Sequence, residues 1–309
     1  MLTVKLAFRN IYGAGLRTWL NVFVLSMAFV LIIWMQGLIQ GMSRQIMNDT
    51  IDSEFGGGQF RHQAYDPYDP LTIEDSHAPL SNRLNDIISE GHATPILITS
   101  GAIFPEGRVQ STLLKGIDPG QQIIAIPAGD LESDNQDAIP ALIGSRMAKQ
   151  TNLKMGDYVT VRWRDINGTF DAADARIVKI MNTSNPQLDN NQIWISLEKL
   201  REMLQAPGEA TLVVLRKNIE SAPTGDATWI HRDLDYLLKD IRDMIKAKSV
   251  GSSIFYLLLL SMALLAIFDT QVLAIFRRRK EMGTLMALGM DRSKVISLFT
   301  LEGALHGVM

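Results

Sequence analysis

Four consecutive cations, Arg277, Arg278, Arg279 and Lys280, separate a long apolar run from a short mixed segment that stops at Gly289. Lys/Arg gathered at the end of an apolar run is how a membrane helix meets the cytoplasm. Asp269 is the one charged residue inside the run at 250–276. It stands eight positions before Arg277, about 12 Å along a helix. A carboxylate at the bilayer centre costs about 2.5–3.5 kcal/mol and less near the interface. Asp269 therefore reads as an intramembrane polar side chain that reaches interfacial water or a neighbouring helix, a proton or ion relay being the functional alternative. Enzyme chemistry is not apparent. There is no Gly-x-x-x-x-Gly-Lys-Ser/Thr phosphate loop and no Gly-x-Ser-x-Gly nucleophile turn. His62, His77, His92, His231 and His306 lack metal-ligand spacing, and with no cysteine there is no thiolate ligand or disulfide. Asp130, Glu132, Asp134 and Asp137 lack the glycine and terminal glutamate of a calcium loop. They read as a solvated acidic loop. The sequence thus predicts no catalytic residue, metal or cofactor on this chain.

The elements around the cationic block are membrane elements. Residues 19–39 carry no charge and as a helix are about 30 Å long, enough to cross the hydrocarbon. A cleavable signal peptide would have a shorter apolar core and a small-residue cleavage site. An uncleaved helix with Lys5, Arg9 and Arg17 inside is the expectation. Residues 1–13 alternate apolar and polar positions at helical spacing and contain no acid, which suits the inner membrane surface. Residues 250–276 would be about 40 Å of helix, long enough to tilt or project. After the cations, Met282, Leu285, Met286 and Leu288 give a short helix an apolar side, and Gly289 suits its C-terminus. Such a helix, slung between two membrane helices, can carry force from a soluble partner.

Charge separates the body from its flanks. Between residues 44 and 245 there are 19 Lys/Arg against 29 Asp/Glu, leaving 11 against 4 elsewhere. A basic periphery beside apolar spans and an acidic middle fit cytoplasmic ends and a translocated body. The acidic body also argues against a nucleic-acid partner. The expected order is an amphipathic N-terminal helix (1–18), a first span (19–41), an extracytoplasmic α+β domain (42–248), a second span (249–276), a cytoplasmic coupling helix (277–293) and the start of a third span (294–309). Within the domain, strands are expected at 95–98, 110–117, 158–164, 175–180, 192–196 and 212–215, with a first strand opening near residues 55–60. Helices are expected at 80–88, 143–148, 197–204 and 229–248, and a tight turn at Asn167-Gly168.

The run Glu281-x-Gly283-x-Leu285-x-Ala287-Leu288-Gly289, followed by Leu298, Glu302 and Gly303, resembles the core of MacB/FtsX-like permeases of ABC transporters, lipoprotein-releasing permeases among them. Leu6-Ala-Phe-Arg9-Asn10-Ile11 with Leu16-Arg17-Thr18-Trp19-Leu20 resembles the approach to the first helix of that family. The order Gly144-x-x-x-Ala148, Gly156-Asp157 plus strand, return strand, Asp189, strand, helix resembles its extracytoplasmic domain. The resemblance implies a multi-pass protein of the bacterial inner membrane with a MacB-like periplasmic domain. It implies partners too: a cytoplasmic ABC ATPase dimer carrying the ATP and Mg, a second permease copy or paralogue, membrane lipids, and a lipoprotein, peptide or amphiphile as substrate. Glu281, Met282, Gly283, Leu285, Met286, Ala287, Leu288 and Gly289 become the ATPase-coupling residues. A non-transporting relay that regulates a cell-wall hydrolase is the alternative. The family has four membrane helices, so the third is expected to be incomplete here.

Overall fold

The computed structural model describes residues 15–132, 138–182, 189–217 and 227–308. The chain divides into two units, Ser43–Arg242 and the flanking stretches Met1–Met42 with Asp243–Met309.

The flanks are helical. Helix α1 spans Gly15–Thr50. Among the described residues, two helices are long and apolar enough to cross a membrane, over Ser26–Phe55 and Lys239–Leu265.

The Ser43–Arg242 unit is α+β. Its elements are β1 (Gln59–His62), β2 (Ala78–Pro79), α2 (Asn82–Ser89), β3 (Ala93–Ile103), β4 (Gln110–Ile117), β5 (Ile139–Gly144), α3 (Ser145–Thr151), β6 (Tyr158–Arg164), β7 (Phe170–Met181), β8 (Gln192–Ser196), α4 (Leu197–Leu204), β9 (Glu209–Ala210), β10 (Leu212–Leu215), β11 (Trp229–Arg232) and α5 (Leu234–Leu237). Nine strands run in the order β11-β1-β10-β3-β4-β8-β5-β7-β6, and β3 also pairs with β6. That last pairing, Gly101–Ile103 against Val161–Trp163, closes six strands into a ring. The β4–β8 and β5–β7 pairs are parallel and the other pairings antiparallel.

Alternation explains why the ring closes. In β6 every second residue, Val159, Val161 and Trp163, is buried while its neighbours face water. Leu97, Ile103, Leu114, Ala141, Ile143, Ile177 and Ile193 join them in one core with Leu197, Leu200 and Leu204 of α4. The opposite face of β3, β4, β8 and β10 builds a second core from Ile96, Ile98, Ile117, Trp194 and Val214. Helix α4 reaches β4 over Gly116, where an added Cβ would lie 3.0 Å from the Leu200 Cβ. The β6–β7 turn is fixed by the half-buried loop around Asp165, whose carboxylate accepts from the Asn167 and Thr169 amides and from Gln205 Nε2.

Several expected elements differ. The helix expected at 143–148 begins only at Ser145, because Ile139, Ala141 and Ile143 are the inward residues of β5. The helix expected from 229 is preceded by β11, which pairs with β1 and buries Trp229. The chain becomes helical at Leu234, where the Asp233 carboxylate accepts from the Tyr236 amide. Strand β3 runs on to Ile103, since its far half is the partner of β6.

Candidate functional site

The described chain around the cationic block folds as three helices, α6 (Lys239–Arg277), α7 (Arg279–Ala287) and α8 (Arg292–Val308). Arg277 ends α6 and Arg278 is the N-cap of α7. Arg278 Nε donates to Glu281 Oε2 at 2.6 Å, and its guanidinium lies 4.9 Å from the Phe299 ring of α8. A basic residue at a helix N-terminus opposes the macrodipole, and Glu281 in the first turn offsets it. The far end is a Schellman stop. Gly289 has φ +93°, its amide donates to the Met286 carbonyl, and the Met290 amide donates to the Leu285 carbonyl. Nothing lies within 4 Å of a Cβ added to Gly283.

The apolar residues expected to form one side of α7 differ in exposure. Met282 and Leu285 are half-buried, while Met286 and Leu288 are 44% and 80% exposed. Leu288 is the C-cap, beyond the last helical residue. Ala287 and Lys280 are exposed. Asp269 is exposed within α6, and Arg17 lies in α1. Lys5, Arg9, Asp134 and Asp137 fall outside the described residues.

A second site lies wholly within the Ser43–Arg242 unit and was not foreseen. It is a cleft of about 960 Å³ between the turn at Ile51–Phe55, β1 and its following loop, β11, and the ends of β4 and β8. At its floor is Lys115, only 6% exposed. Lys115 stands beside Trp194 in the parallel β4–β8 register, with Nζ 5.1 Å from the indole ring. Among the described residues Lys115 makes no hydrogen bond or ion pair. Burial lowers its pKa below the usual lysine value, Arg61 lowers it further, and Glu54 opposes both. Burial likewise lowers the Arg61 pKa. Tyr65, whose ring stacks on Arg61 at 5.6 Å, is pushed up to about 12, chiefly by burial. Gln192 is 9% exposed, and its Oε1 and the Asn190 Oδ1 are buried without a hydrogen-bond partner. At the rim Tyr68 donates to Asp240. One signal in the sequence could have found the floor: Lys115 sits between the apolar Leu113 and Ile117 on one side of a strand.

The motif Gly144…Asp189 has a structural role. The Asp189 carboxylate, 3% exposed, accepts from the Arg146 amide and the Ser145 hydroxyl at the start of α3 and meets the Arg146 guanidinium. A Cβ at Gly144 would lie 2.5 Å from the Asp189 Cα.

Along the chain, two candidate membrane helices flank an α+β unit, and a short helix with a glycine stop begins within the cationic block. Residues 18–227 match the MacB-like periplasmic core domain and residues 253–309 the FtsX-like permease C-terminal domain. The chain belongs to the MacB/FtsX-like family of ABC transporter permeases. Among solved structures it is similar to the periplasmic region of MacB from Actinobacillus actinomycetemcomitans, at 11% identity over 60% of this chain and 92% of that one, with TM-score 0.40. It is also similar to the extracellular domain of the noncanonic ABC-type transporter YknZ from Gram-positive bacteria, at 12% identity over 52% and 83%, with TM-score 0.34. No curated protein matches the chain.

Proposed function

We propose that this chain is the transmembrane subunit of an ABC transporter, driven by ATP hydrolysis on a separate cytoplasmic ATPase dimer and acting on a substrate outside the inner membrane. The substrate class is a lipoprotein, peptide or amphiphile. In this reading α1 and α6 cross the bilayer, Lys5, Arg9, Arg17 and the block at Arg277 to Lys280 face the cytoplasm, and Ser43–Arg242 is extracytoplasmic. ATP and Mg belong to the partner, and a second permease copy or paralogue completes the pair.

The observation that carries the proposal is α7. It is a nine-residue helix, stopped by a glycine cap and set between α6 and α8, in a stretch matching the FtsX-like domain. Its exposed apolar residues, Met286 and Leu288, are the surface a groove on the ATPase would bury. Burying two such side chains supplies about 3–6 kcal/mol before association costs. The test is Met286→Asp with Leu288→Asp in the membrane-inserted protein co-expressed with its ATPase. Loss of ATPase co-purification with unchanged membrane insertion is expected. Unchanged co-purification and unchanged stimulated ATP hydrolysis would show that the coupling assignment is wrong.

A further inference from the structure

We infer that the Lys115 cleft of the Ser43–Arg242 unit binds the free carboxylate end of a peptide-like ligand. The site is built rather than incidental. An ammonium group on the inner part of a sheet is costly to desolvate unless something repays it. Lys115 gains only a face-on contact with Trp194 and no hydrogen bond or ion pair among the described residues. A hydrophobic side chain would fit the same strand face, where Leu113 and Ile117 already stand. The polar groups around it are in the same condition, since Gln192 and Asn190 line the cleft with carboxamide oxygens that meet no donor.

The charges select the ligand. Arg61, Lys115, Arg232 and Lys239 line the cleft against Glu54, Asp66 and Asp240, and Arg61 is close enough to lower the Lys115 pKa. One positive charge is left over across the lining, which matches a monoanion better than a phosphate dianion. An ammonium with a planar guanidinium beside it suits carboxylate oxygens. The carboxamides of Gln192 and Asn190 are complementary to peptide amides, which offer both donor and acceptor. Tyr65, Tyr68 and Tyr236 line the walls, apolar surfaces with polar tips that can hold side chains of varied shape. A volume of about 960 Å³ admits a few residues, not a folded domain.

The inference deepens the transport reading by choosing peptide within its substrate class, and rests on that reading only for what binding accomplishes. It is tested on the full chain in neutral phosphatidylcholine nanodiscs. The probe is fluorescein-labelled Ala-Tyr-Ala with a free C-terminus, set against the same peptide as its C-terminal amide, followed by fluorescence polarisation. The expected result is that the acid binds about tenfold or more tightly than the amide, the scale of a charged hydrogen bond. Lys115→Met should weaken the acid to the level of the amide, and Gln192→Leu should weaken both. Equal affinity of acid and amide overturns the inference, as does unchanged binding by Lys115→Met. Competition by inorganic phosphate as strong as that of unlabelled acid peptide overturns the peptide assignment in favour of any oxyanion. Loss of peptide binding when the nanodisc carries anionic phosphatidylglycerol overturns it in favour of a lipid headgroup. The Met286→Asp, Leu288→Asp chain should bind the peptide unchanged, so failure of the cleft and failure of the coupling proposal are told apart.

Discussion

Lys115 and Gly144 show two ways in which one side chain can work against its surroundings. A buried cation without a counter-ion is retained at the expense of stability, so Lys115→Met should raise the unfolding free energy at neutral pH, by about 1–4 kcal/mol on the scale of buried-charge replacement. The pH dependence follows from linkage. The folded-state pKa of Lys115 lies below its unfolded value. Between the two values the unfolded chain holds more protons, so stability rises with pH through that window and levels off above about 10.5. Lys115→Met should abolish that rise, and denaturant melts at pH 7 and pH 10 compare the two chains. Gly144 is the reverse case, a missing side chain that stability requires. Its φ of −77° suits any residue, so the obstacle is room. Gly144→Ala would press a methyl group onto the Asp189 backbone and dislodge the carboxylate from the α3 amide. A loss of about 1–3 kcal/mol from crowding, with about 1 kcal/mol more from the lost cap, should appear as a lower melting midpoint.

At the level of elements, periodicity was informative where one face alone is buried. The expected bounds of β4, β6, β8, α4 and β10 coincide with those observed: β6 alternates and α4 carries a clean apolar stripe, while β8 and β10 are short apolar runs bounded by polar or turn residues. It failed where the pairing partner is remote in sequence. Trp229-Ile-His-Arg232 reads as the start of a helix until β1, about 170 residues earlier, is beside it. Ile139–Gly144 is similarly short, and its strand character is imposed by β7 and β8. The candidate sites divide the same way. The α7 segment is local, so its cations, its length and its Gly289 stop are legible in a dozen consecutive residues. The cleft gathers Glu54, Arg61, Lys115, Gln192 and Tyr236 from five separate elements, and no local pattern joins them. Only the solitary lysine on an apolar strand face was available to be noticed.

In the whole Ser43–Arg242 unit, chain order and sheet order disagree at several places, of which one bears on how the six-strand ring closes. Strands β4 and β5 are consecutive in sequence, yet β8 lies between them, parallel to one and antiparallel to the other. Until about residue 196 is available, the facing edges of β4 and β5 have no partner, and unpaired strand edges invite association with other chains. Closure of the six-strand ring is therefore timed by the arrival of a single late five-residue segment, which acts as a lock bolt shot home after the other ring strands are made. Ile193, fully buried in that segment, is the residue on which to test this. Ile193→Lys should leave membrane targeting intact but strand the frame open, giving protease-sensitive, aggregating protein rather than a mildly destabilised monomer. Pulse-chase proteolysis during synthesis follows the event directly: protection should appear abruptly after β8 has emerged, not gradually with length. On the proposed topology the body crosses a bilayer before it folds, and such late commitment keeps the chain pliable for as long as it is still being threaded.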